Sequence, residues 1–137
     1  MRERSRAREW ALRVLYAWES RADGDLTAVL EEFMTRRLIA PGRRAYMRRL
    51  VERVAAECDT IDRELESAVT NWRFDRLAAM DRNVLRLAAA EMLYFDDIPP
   101  RVSIQEALRL AEKYGTDQSP RFVNGVLDAL MRRLDPT

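Results

Sequence analysis

The side chains able to run chemistry in this chain are few, and the missing ones exclude most reactions. The 137 residues include no histidine. That removes Ser–His and Cys–His nucleophile pairs and the commonest metal ligand. The single cysteine, Cys58, excludes an internal disulfide and a cysteine-based zinc site. It falls at apolar spacing with Val54 and Ile61 and reads as core packing. The four glycines (Gly24, Gly42, Gly115, Gly125) form no phosphate-cradling loop. Carboxylates are plentiful but scattered along helix surfaces. The expectation is a protein that is not an enzyme and has no cofactor and no metal.

Arginine supplies the chemistry that is left, outnumbering lysine 23 to 1. Its planar fork suits phosphate oxygens and base edges, although a GC-rich genome gives the same excess. The net charge of +1 hides an asymmetry. Residues 1–53 carry 13 arginines against 8 acids, and residues 54–137 carry 11 bases against 15 acids. A basic N-terminal half points to an anionic partner, most simply nucleic acid. Two aromatics, Tyr16 and Phe122, sit at borders between apolar and polar helix faces. There a ring can pack on the core or stack a base, and the spacing leaves both open.

The elements that position these residues are helical throughout. Residues 1–20 put Ala7, Trp10, Ala11, Val14, Leu15 and Trp18 on one face, and Arg2, Arg6, Glu9 and Arg13 on the opposite one. Ser5 reads as the N-cap. The polar face reads either as ordinary solvated surface or as a phosphate-binding arm. Asp23-Gly24 marks a turn. A second helix runs from about 26 to 38, with Leu38 in its apolar stripe. A third starts at Pro41 and runs to about 70, either as one long helix or as two with a break near 58–60, and its arginines read as solvated surface. Trp72 and Phe74 are expected to plug the end of the bundle. Asp81–Phe95 is apolar nearly all round, so it belongs in the middle of the bundle, with Asp81 capping it.

Ile98-Pro99-Pro100 stops that helix. Ser103 to Glu106 reads as a capping box, and Gly115 as a left-handed helix end. Ser119-Pro120 opens the last helix. Gly125 inside it costs about 1 kcal/mol relative to alanine, which suggests close approach of another group. No period-two pattern appears. The fold class expected is all-α, about seven helices in one domain spanning 1–137. No signal peptide or spanning segment is visible, so no membrane association and a cytoplasmic location are expected.

The chain resembles the NusB family of bacterial transcription antitermination factors. The most specific piece is FVNGVLD, Phe122 to Asp128, within the run Asp97 to Leu130. Arg6-Ala7-Arg8-Glu9 followed by Leu15-Tyr16 is similar to the family's first helix. Asp81-Arg82 followed by Val84 to Ala88 and Glu91 is similar to its central helix. The resemblance implies a seven-helix bundle of two three-helix subdomains around the buried central helix 81–95. It implies binding of boxA-type single-stranded RNA in nascent ribosomal-RNA leaders, together with NusE, a small-subunit ribosomal protein, within the RNA polymerase antitermination complex. Carried over by position, Arg2, Arg4, Arg6, Arg8, Gln118, Phe122 and Asn124 are RNA-binding candidates. Tyr16, Asp81 and Arg82 are candidates for the NusE interface. Gln118 and Pro120 depart from the family, which often has an acid and a base there, and Ala90 replaces a frequent aromatic. The resemblance also leaves room for a homodimer that covers the basic helix. Two other readings compete: the RNA-targeting module of an rRNA cytosine methyltransferase, and a helical protein-interaction module without RNA binding. The first needs a Gly-rich cofactor loop, which this sequence does not show.

Overall fold

The computed structural model describes residues 2–21, 24–69 and 73–135. Asp23 and Trp72, both assigned roles above, lie outside the described residues. Six α-helices follow one another: α1 (Arg2–Ser20), α2 (Leu26–Arg36), α3 (Pro41–Ala68), α4 (Ala79–Tyr94), α5 (Pro100–Tyr114) and α6 (Ser119–Leu134). A 3-10 turn at Phe74–Arg76 precedes α4, and no strand occurs among the described residues. Among the described residues six helices stand where seven were expected, because the two halves of α3 meet at a kink with no loop between them. Glu57 there has φ −120° and ψ 22°, one residue before the stretch 58–60.

α1, α2 and the start of α3 pack as one group, and α4, α5 and α6 as another. The far part of α3 reaches the second group, where Arg133 of α6 donates to the Glu64 carbonyl. α4 lies between them, touching α1, α3, α5 and α6, and is buried without interruption from Asn83 to Glu91. Every helix sends large apolar side chains into one core, among them Leu15, Leu30, Leu50, Leu85, Leu110 and Leu127. Each is worth about 1.5–3 kcal/mol when fully buried. Phe74 is buried at the mouth of α4, as expected.

Several helix ends differ from the sequence reading, each for a local reason. α1 starts at Arg2, so Ser5 is inside the helix and caps nothing. α2 ends at Arg36, two residues early, and this leaves Leu38 fully exposed. α4 starts at Ala79 behind Ala78, with no side-chain cap. Asp81 is therefore its third residue, and helps only through its charge near the helix dipole. Proline needs no amide partner in a first turn, so α5 opens at Pro100, three residues before the capping box. Ser103 turns inward instead. Gly115 has φ −95°, not a left-handed value. It is needed because a Cβ there would lie 2.6 Å from Ser119 Cβ and 2.8 Å from the Ala111 carbonyl. Gly125 has nothing within 4 Å of a Cβ, so the expected close approach is not there. Cys58 is half-buried at the kink, and burial raises its thiol pKa to about 11, which makes it a poor nucleophile.

Candidate nucleic-acid interface

Three polar braces inside the bundle decide which arginines can reach a ligand. The first is centred on Glu91 of α4, which is 1% exposed. Arg8 donates to it through Nε at 2.7 Å and Nη2 at 3.3 Å, Tyr46 through its hydroxyl at 2.5 Å, and Ser103 through Oγ at 2.8 Å. Arg8 is only 3% exposed. Burial works against its charge, but the bonds and charge of Glu91 outweigh it and hold the guanidinium pKa above its usual value. Burial and Glu91 also push the Tyr46 hydroxyl up. Arg8 is therefore not available to RNA. This corrects the carry-over: Arg8 ties α1 to α3, α4 and α5.

The second brace is centred on Glu9. Its buried carboxylate accepts from Lys113 at 2.8 Å, Arg109 at 2.8 Å, Tyr114 at 2.9 Å and Arg6 at 3.2 Å. Burial opposes its ionisation, yet the bonds from Lys113, Arg109 and Tyr114 win and hold its pKa at about 2. The third brace runs along α4. Arg82 donates to Glu19 at 2.6 Å and to the Leu77 carbonyl at 2.6 Å. Asn83 also reaches Glu19, at 2.6 Å, and Arg86 makes two 2.9 Å bonds to Asp62. The Arg82 side chain is 12% exposed and committed to these partners. It is a poor candidate for a partner contact, which is a second correction.

The other candidates lie at the surface. Arg2 and Arg6 are exposed near the start of α1. Arg4 stacks 4.7 Å over the Tyr46 ring and sits 3.5 Å from Asp97, while keeping its guanidinium partly in solvent. Asp97 is pulled down to about 2, chiefly by its bonds from Arg49. Tyr16 is 44% exposed and edges a depression of about 330 Å³ that Arg13, Phe33, Arg37 and Tyr114 also line. Asp81, Gln118 and Phe122 meet at a shallow pocket of about 230 Å³, with Arg76, Leu77 and Ala78. Asn124 is exposed one turn along α6. The structure thus brings Asp81, assigned to the protein partner, beside Gln118 and Phe122, assigned to RNA. Met80, next to Asp81 in the chain, lines the Tyr16 depression.

Sequence reasoning gave no role to the braces centred on Glu9 and Glu91, or to Arg43 and Lys113 at the surface, while Trp10, expected on the apolar face of α1, packs against the core and is only partly buried. A wheel signal existed for Arg8, which stands four residues before Leu12 and seven before Leu15, on the buried side.

Among the described residues no group of acidic or cysteine side chains could hold a metal, and no helix is long and apolar enough to cross a membrane. The fold and surface define an all-α binding module with basic and aromatic edges. The model of the NusB family matches residues 5–132, and the chain belongs to that family. A transcription antitermination protein NusB of Desulfosudis oleivorans is 38% identical, with 98% of this chain and 88% of the relative covered. One from Anaeromyxobacter sp. is 44% identical, with 98% and 93% covered. Among solved structures, T. maritima NusB matches at TM-score 0.85 and 36% identity, covering 94% of this chain and 90% of that one. A chain in the crystal structure of antitermination factors NusB and NusE in complex with double-stranded RNA matches at TM-score 0.81 and 30% identity, covering 97% and 98%. The two curated relatives are transcription antitermination proteins by name.

Proposed function

We propose that this chain is a transcription antitermination factor that binds boxA-type RNA together with NusE and enters the RNA polymerase antitermination complex in the bacterial cytoplasm, acting as a single RNA-binding domain. The observation that carries this reading is the likeness, over 97% of the chain, to a chain in the crystal structure of NusB and NusE with double-stranded RNA. The exposed charge at the start of α1 supports it. Arg2, Arg4 and Arg6 are assigned to RNA phosphates, and Gln118 and Asn124 to polar contacts beside them. Phe122 is half-buried and packed on the core, so its ring is held rigid for stacking a base on its exposed face. Tyr16 and Asp81 are assigned to NusE. Arg8 and Arg82 are not part of either surface.

The test is a fluorescence-anisotropy titration of short single-stranded boxA RNA with and without NusE at two salt concentrations, with the duplexed RNA as competitor. Binding that tightens with NusE and weakens with salt supports the proposal. Affinity indifferent to NusE contradicts it.

A further inference from the structure

A cleft on the flank of α1 carries more positive charge than the assigned RNA surface uses. Arg6, Trp10 and Arg13 stand at i, i+4 and i+7, so they share one edge of the helix. Arg43 from the first turn of α3 and Lys113 from the last turn of α5 close the sides. The cavity they form with Glu9 is about 330 Å³. Four cations face one carboxylate there. Glu9 lies beneath and orients Lys113 and Arg6, whose side chains remain about half exposed. Arg43 also reaches Glu3 at 3.3 Å. The Arg13 guanidinium lies 5.0 Å over the Trp10 ring. Arg13 marks its far end, where the Tyr16 depression assigned to NusE begins. From Arg6 to Arg13 the groove follows about 10 Å of helix.

We propose that this groove is a track for single-stranded RNA flanking the boxA element, with phosphates on Arg13, Arg43 and Lys113 and a base stacked on the outer face of the Arg13 guanidinium, which covers the Trp10 ring. The proposal rests on the RNA-binding reading above and extends it to residues that reading does not use. The charge fits a polyanion, and the planar Trp10–Arg13 stack selects among polyanions. An acidic peptide would fill the stack only where it happened to place an aromatic residue, whereas every nucleotide brings a planar base beside its phosphate. The track continues along the helix that presents Arg2 and Arg6, so RNA held there passes into it.

The experiment compares the boxA core RNA with the same RNA extended by several nucleotides at either end, with NusE present. The proteins are wild type, the double variant Arg13→Gln/Lys113→Gln, and Arg43→Gln as an independent variant on another helix. Thermal melts confirm that each is folded. Wild type is expected to bind one extended RNA about tenfold more tightly than the core, the worth of one stacked base with its phosphates. The double variant loses that increment, keeps its core affinity within about twofold, and lowers the salt slope on extended RNA by about 1.4, or about 0.7 per phosphate. Arg43→Gln loses part of the increment. The proposal is overturned if extension adds nothing for wild type, or if the double variant keeps the increment. Failure of wild type to bind the core with NusE present would sink the underlying reading, and the proposal with it.

Discussion

Replacing Arg8 with methionine keeps a long apolar stem but removes a cation buried against Glu91. The pair is closed to water on both sides, at 3% and 1% exposure, and is joined by bonds of 2.7 and 3.3 Å. Breaking one partner of such a pair costs about 3–5 kcal/mol, because the other charge stays buried without compensation. For a chain of this size that lowers Tm by roughly 10–20 °C. Replacing both partners, as Arg8→Met/Glu91→Gln, leaves no orphaned charge and is expected to recover more than half of the loss. Differential scanning calorimetry gives the stabilities. Anisotropy on boxA RNA, at a temperature where each variant is folded, gives the function. The expected result is a large loss of stability for Arg8→Met with RNA affinity within about twofold of wild type. A variant that melts within two degrees of wild type but loses RNA affinity and salt slope would refute the reasoning, and return Arg8 to the RNA surface.

Other outcomes follow from the same geometry. Gly125→Ala should stabilise the protein by about 1 kcal/mol, since its Cβ meets nothing within 4 Å. Gly115→Ala should destabilise it through contact with Ser119 and the Ala111 carbonyl; two denaturant titrations separate these signs. Glu9 is held at about 2 from an ordinary 4.5. A depressed acid adds stability fully present above the ordinary value and lost as pH falls through the native one. Acid melts should therefore lose stability between about pH 4.5 and 2, and Glu9→Gln should flatten that limb. Phe122→Ala should weaken RNA binding by about 1–3 kcal/mol if a base stacks on the ring, read by anisotropy with NusE present.

The sequence made the helical fold legible because apolar spacing runs at the helical period from end to end, and the heptad Phe122 to Asp128 made the family legible. Helix ends were less so. Two competing starts lay close together at Pro100 and Ser103, and only packing shows that the proline wins, because Ser103 is needed on Glu91. Leu38 carried the right period, but the helix had already ended. Of the site, the exposed arginines were visible as composition. The separation of Arg8 from Arg2 and Arg6 was not, because its partners Glu91, Tyr46 and Ser103 come from three distant helices. Arg43 and Lys113 were hidden for the same reason: neither is near α1 in sequence, and only the fold brings them to its flank.

The central claim, that RNA lies along α1 and the start of α6, is tested most directly by photocrosslinking. BoxA RNA carrying 4-thiouridine would be crosslinked to the protein with NusE bound, and the attached peptides identified by mass spectrometry. The account predicts crosslinks in the first turns of α1 and at Phe122 or its neighbours. Crosslinks confined to the exposed arginines Arg63 and Arg132, on α3 and the end of α6, would contradict it.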